Sequence, residues 1–161
     1  MRLNYNLKNI KNLNGSWLLI KYNNSLQALL SAVFPDYEWL PWKFDQCPRN
    51  YWNNVENQRR FVDWVGNQLG VKEMSDWYKY TLQQFTSFGS SGLIYNHYNS
   101  SLYLLLSSIY PNYEWLPWRF VNTPRNFWGQ KKNQKWFLDW AGKQLGVMDY
   151  IDWYNIDINV Y

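Results

Sequence analysis

Six pairs of polar side chains recur along this 161-residue chain. Lys43 and Arg119, Arg49 and Arg125, Asn50 and Asn126, Asn57 and Asn133, Gln58 and Gln134, and Arg59 and Lys135 occupy equivalent places in two similar stretches. Guanidinium, ammonium and amide groups are the donors that phosphate oxygens and base edges accept from. An idle surface position drifts easily after duplication, so repetition with the same chemistry points to use. The expected use is contact with a phosphate backbone, although Arg49 could equally pair with Glu38 across its own loop. Lys131, Lys132 and Lys135 add a basic run in the second stretch only, which is ordinarily a solvated face.

Other chemistries find less support. Three carboxylates recur, as Glu38/Glu114, Asp63/Asp139 and Asp76/Asp152. Acid–base work would need one of them raised in pKa beside a cleft, and caps or ion pairs explain them more simply. Asp76 is expected to cap a short helix carrying Trp77 and Tyr78. The single His, His97, aligns with Lys21, and the single Cys, Cys47, aligns with Thr123, so neither belongs to the repeated pattern. No zinc spacing, glycine-rich phosphate loop or serine elbow is present. Gly89-Ser90-Ser91-Gly92 reads as a turn between helices, with backbone capture of an anion as the lesser alternative. The expectation is a non-enzymatic protein with no metal and no cofactor.

The elements that must position these residues are set by an internal repeat. Tyr22 falls on Tyr98 and Tyr78 on Tyr154 at one constant offset, and more than half of the intervening positions are identical without a gap. Such self-similarity marks a duplication. Leu7, Ile10 and Leu13 match Leu82, Phe85 and Phe88 at an offset one shorter, so each unit extends back to there. Units are assigned to residues 5–80 and 81–156. Their placement is what a piece of a longer array, or a minimal two-unit protein, would show. Leu7-Ile10-Leu13 predicts a first helix, Ser16 to Tyr22 a second, and Ser25 to Phe34 a third that Pro35 ends. Pro35, Pro41 and Pro48 then make an ordered aromatic loop, carrying Trp39, Trp42, Phe44 and Trp52. A fourth helix over Val55 to Leu69 presents Phe61, Trp64, Val65 and Leu69 on one face before Gly70. The fold class is all-α, two tandem copies of a Trp-rich helical repeat with the aromatic loop between helices three and four. Trp64, Trp140, Trp77 and Trp153 are expected in the core. The loop tryptophans, paired as Trp39/Trp115, Trp42/Trp118 and Trp52/Trp128, divide between core and contact surface.

At the Asp-Trp-Tyr segments and at P-x-Y-E-W-x-x-W-[KR]-F the chain resembles a family of tandem aromatic repeats in multi-repeat proteins of fungi, algae and plants. The resemblance covers nearly the whole chain and implies a helical repeat. It brings no activity and no site residues with it.

Composition agrees with an ordered chain: 47% hydrophobic, 21% aromatic, with twelve Trp that must replace aliphatic area in the core. A net charge of +4 favours polyanions without requiring them. One cysteine permits no internal disulfide, so an intracellular site is expected, nucleus or organelle unresolved. No apolar run reaches the length of a membrane span, so no membrane partner is expected. These features together lead to a nucleic-acid-binding repeat module that touches phosphates through the recurring donors, DNA ranked ahead of RNA. The alternative is a protein–protein interaction scaffold presenting an aromatic groove. A third, sugar-binding or nuclease-associated, trails both.

Overall fold

The computed structural model describes residues 7–45, 47–89 and 91–157; residues 5 and 6 of the first assigned unit, together with Gln46 and Ser90, lie outside them. Among the described residues the chain is helical and contains no strand. The order is α1 Leu7–Asn12, α2 Ser16–Lys21, α3 Leu26–Val33 and α4 Val55–Leu69, then a 3-10 helix at Met74–Lys79. It continues with α5 Leu82–Thr86, α6 Ser91–His97, α7 Leu102–Ile109 and α8 Lys131–Leu145, ending in a 3-10 helix at Tyr150–Asn155.

Local sequence explains the boundaries. Ser25 and Ser101 cap α3 and α7, their hydroxyls accepting from the Ala28 amide at 3.1 Å and the Leu104 amide at 3.2 Å. Gly70 and Gly146 end α4 and α8 in the left-handed region, at φ 78 and 74. The intervening prolines break helical continuity, and the aromatic loop folds instead as short 3-10 turns at Pro41–Lys43, Tyr51–Asn53 and Pro117–Arg119.

Two expectations need correction. Asp76 does not cap the last helix of the first unit; that helix starts earlier, at Met74, with Glu73 at the cap position. Asp76 stands a turn inside and its carboxylate accepts from the Lys72 and Glu73 amides at 2.8 and 3.2 Å. Asp152 does the same for Met148 and Asp149, at 2.8 and 2.9 Å. Nor is Gly89-Ser90-Ser91-Gly92 wholly a turn, since Ser91 and Gly92 already belong to α6. That helix has seven residues against six in α2, and it absorbs the extra residue: the Asn24 amide donates to Leu19 O, as the Ser100 amide donates to Ile94 O. Leu19 therefore corresponds to Ile94, and Leu18 to Leu93.

The core is one contiguous cluster. Phe61, Val62 and Val65 of α4 meet Leu102, Leu105, Leu106 and Ile109 of α7, all buried. Phe85 of α5 packs edge-on against Phe61, centroids 5.5 Å apart, and Phe88 against Trp64 at 5.8 Å. Trp77 fits against Gly66 so closely that a Cβ there would sit 3.1 Å from its ring. The helices that open the second unit thus complete the core of the first. Trp77 is buried, whereas Trp64, Trp140 and Trp153 are only partly so. Trp42 and Trp115 of the loops are buried in the core, and Trp128 is exposed.

Candidate nucleic-acid interface and the junction between units

The recurring donors divide by what they touch. Asn57 Nδ2 donates to Tyr51 O and Asn133 Nδ2 to Phe127 O, each at 2.9 Å. Gln58 Nε2 donates to Trp52 O at 2.6 Å, and Gln134 Nε2 to Trp128 O at 2.7 Å. These amides tie the first turn of α4 and of α8 to the aromatic loop. They satisfy carbonyls that an irregular loop would otherwise leave without donors, which is sufficient reason for them to recur.

Asn50 and Asn126 also have a backbone role. Both lie at positive φ, 60 and 58, where asparagine is among the few side chains tolerated. Lys43 lies over the Trp64 ring at 5.3 Å and Arg119 over the Tyr78 ring at 4.7 Å. Lys135 pairs with Asp139 on the surface of α8 at 2.7 Å.

Arg59 serves the junction. Its guanidinium donates to Ile109 O at the end of α7 and lies over the Tyr110 ring at 5.1 Å. Beside it the Tyr110 hydroxyl donates to Asp63, and desolvation by burial, aided by that carboxylate, raises the phenol pKa. The Tyr98 hydroxyl donates to Gln58 Oε1. Tyr78, from the end of the first unit, is wedged between Trp115 and Phe120 at 5.7 and 4.8 Å, and its hydroxyl accepts from the Leu116 amide at 2.9 Å. Sequence reasoning missed this junction because its partners lie about 40 to 50 residues apart and in different units.

The Arg49–Glu38 pair that stood as the alternative to phosphate contact does not form. Glu38 pairs instead with Arg60 at 2.6 Å, and Arg60 also lies over Trp42 at 5.7 Å. Trp136 stands at the Arg60 position in the second unit and packs on Trp118 at 5.0 Å, so an aromatic ring replaces the cation there. Arg49 and Arg125 are exposed and make no ion pair among the described residues. Each lies at the rim of a recess, of 450 Å³ in the first unit and 260 Å³ in the second. The two recesses are equivalent. Asn23 to Leu26 line one and Asn99 to Leu102 the other, opposite Pro48-Arg49 and Pro124-Arg125.

Among the described residues no three His, Cys, Asp or Glu side chains converge as metal ligands. Burial raises the Cys47 thiol to about 11, which keeps it protonated and poorly nucleophilic. No described helix is long and apolar enough to cross a membrane. Comparison with protein-family models finds no match to the chain, and neither do comparisons with curated proteins and with solved structures.

Proposed function

We propose that the chain is a non-enzymatic binding module that holds a nucleic acid by its phosphates, with Arg49 and Arg125 as the principal contacts. The observation that carries this is their placement: equivalent exposed arginines, without carboxylate partners, at the rims of equivalent recesses in both units. A guanidinium that stabilises nothing inside the fold is available for bidentate contact with an anion. Lys43 and Arg119, exposed on the same loops, supply further positive charge. The set of contact residues is smaller than the recurring donors alone would give, since the amides and Arg59 already have partners inside the protein. Duplex DNA ranks ahead of RNA, in an intracellular setting.

Fluorescence anisotropy with duplex DNA, duplex RNA and single strands at two salt concentrations tests this. The Arg49→Ala/Arg125→Ala double variant should weaken binding at unchanged stability. It should also flatten the plot of log affinity against log salt by about one for each phosphate that is no longer neutralised. Equal affinity and slope in the double variant would reject these arginines as contacts. A second reading, the protein-interaction scaffold, is favoured by one feature: the exposed apolar face of α8 and the final 3-10 helix.

A further inference from the structure

The second unit ends in a surface that the first unit keeps covered. Val62 of α4 is fully buried under α7, whereas its counterpart Leu138 on α8 is 48% exposed. Tyr78 is 7% exposed and its counterpart Tyr154 90%. Around Leu138 runs a groove of 910 Å³, lined also by Gly142, Val147, Met148, Tyr150 and Trp153. The opposite end of the molecule shows the converse. Leu93 and Ile109, in one buried cluster with Phe61, Val62 and Val65 of α4, are fully buried, while their counterparts Leu18 and Val33 are about half exposed. Each end of the chain therefore carries one half of a junction whose two halves are already joined in its middle.

We infer that the occupant of the α8 face is a second copy of this chain, docking by its α2–α3 end so that the internal junction is rebuilt between molecules. The register follows from the repeat. Leu138 takes the part of Val62 against Val33 in that of Ile109. Tyr154 enters the pocket of Trp39, Leu40 and Phe44, which correspond to Trp115, Leu116 and Phe120. Gln134 meets Tyr22 as Gln58 meets Tyr98. Lys43 lies over Trp64 in the present structure, and swings over the incoming Tyr154 as Arg119 does over Tyr78. The Arg59–Asp63 side of the junction is not reproduced: Phe34 stands in place of Tyr110, so Asp139 gains no phenol, and Lys135, in place of Arg59, stays paired with Asp139. The contact is heterologous, joining unlike surfaces, and it leaves both outer ends open for further copies. It rests on the protein-interaction reading and is independent of phosphate binding.

Sedimentation velocity across a range of concentrations provides the test. The chain should form dimers and then longer species, open chains or a ring, because each docked copy still presents one end of each kind. Leu138→Glu and Val33→Glu alter exposed positions at opposite ends, and circular dichroism checks that each remains helical. Each variant alone should self-associate roughly thirtyfold more weakly or not at all. A mixture of the two should form a one-to-one dimer and nothing larger, since each supplies the end the other lacks. Association that stops at a symmetric dimer, or a mixture that stays monomeric while the unaltered chain associates, overturns the head-to-tail contact. If the unaltered chain is monomeric throughout, an apolar dye such as ANS separates the two ideas. Dye bound at the α8 face and lost in Leu138→Glu overturns only the second copy as occupant; no dye bound overturns the interaction reading as well.

Discussion

Asn50 and Asn126 show how one residue type can be retained for a reason other than the chemistry of its amide. At positive φ an ordinary L side chain costs about 1–2 kcal/mol, which asparagine and glycine largely escape. Asn50→Gly should therefore leave the melting temperature nearly unchanged, and Asn50→Val should lower stability by about 1–2 kcal/mol; equal losses from both would show that the amide itself matters. Cys47 is partly buried. With its thiol raised to about 11 it should label slowly with iodoacetamide at neutral pH, and faster only well above the usual thiol range; rapid labelling near pH 7 would contradict its burial. Asp76 is shifted the other way, to about 2, chiefly by the Lys79 ammonium at 2.8 Å and then by the Lys72 and Glu73 amides. Its folded pKa lies below the unfolded value, so its contribution is complete above about pH 4 and is lost as pH falls through about 2. Asp76→Asn should lower the melting temperature at neutral pH and flatten its acid dependence, as followed by thermal melts from pH 6 downward. The residue types were legible in the sequence throughout; the φ angles and hydrogen-bond partners that explain them were not.

Among the elements, helix periodicity identified α1 to α4 and their counterparts almost to the residue, because apolar spacing, serine caps and a C-terminal glycine all agreed. Asp76 was misplaced because a carboxylate one turn inside a helix looks, in sequence, like one at its start. The recurring polar face of α4 was harder. Gln58, Arg59 and Asp63 have the same spacing as Gln134, Lys135 and Asp139, yet the first three meet Tyr98, Ile109 and Tyr110, while Lys135 and Asp139 pair with each other and Gln134 keeps only its bond to its own loop, at Trp128 O. Position in the array decides their role. Tyr98→Phe should thus cost about 1–3 kcal/mol, since it strips the Gln58 side chain of a buried partner. Tyr22→Phe, at the equivalent place but without such a hydroxyl partner among the described residues, should be close to neutral. The same asymmetry applies to tryptophan: Trp77→Ala should cost about 3–5 kcal/mol, and Trp153→Ala clearly less, because Trp77 is buried and Trp153 only partly so. Paired urea denaturations measure both contrasts, and matched losses at paired positions would show that the two units fold independently.

For the whole molecule, the contiguous core that runs through the junction predicts one unfolding event. Calorimetry should give a single transition with equal calorimetric and van't Hoff enthalpies, whereas two resolved transitions would place the cooperative boundary between the units. A fragment ending at residue 80 should fail to fold, since it would expose Phe61, Val62 and Val65, all fully buried in the chain. The tie between the units is also short: the 3-10 helix ends at Lys79 and α5 begins at Leu82, with only Tyr80 and Thr81 between. So short a tether holds the two halves of the junction at an effective concentration of order millimolar or above, before any contact is counted. The closed junction and the open ends then need not differ in kind, only in concentration. Adding a third unit to the gene would close the α8 face without altering one residue on it, so growth by duplication starts from an interface already in place.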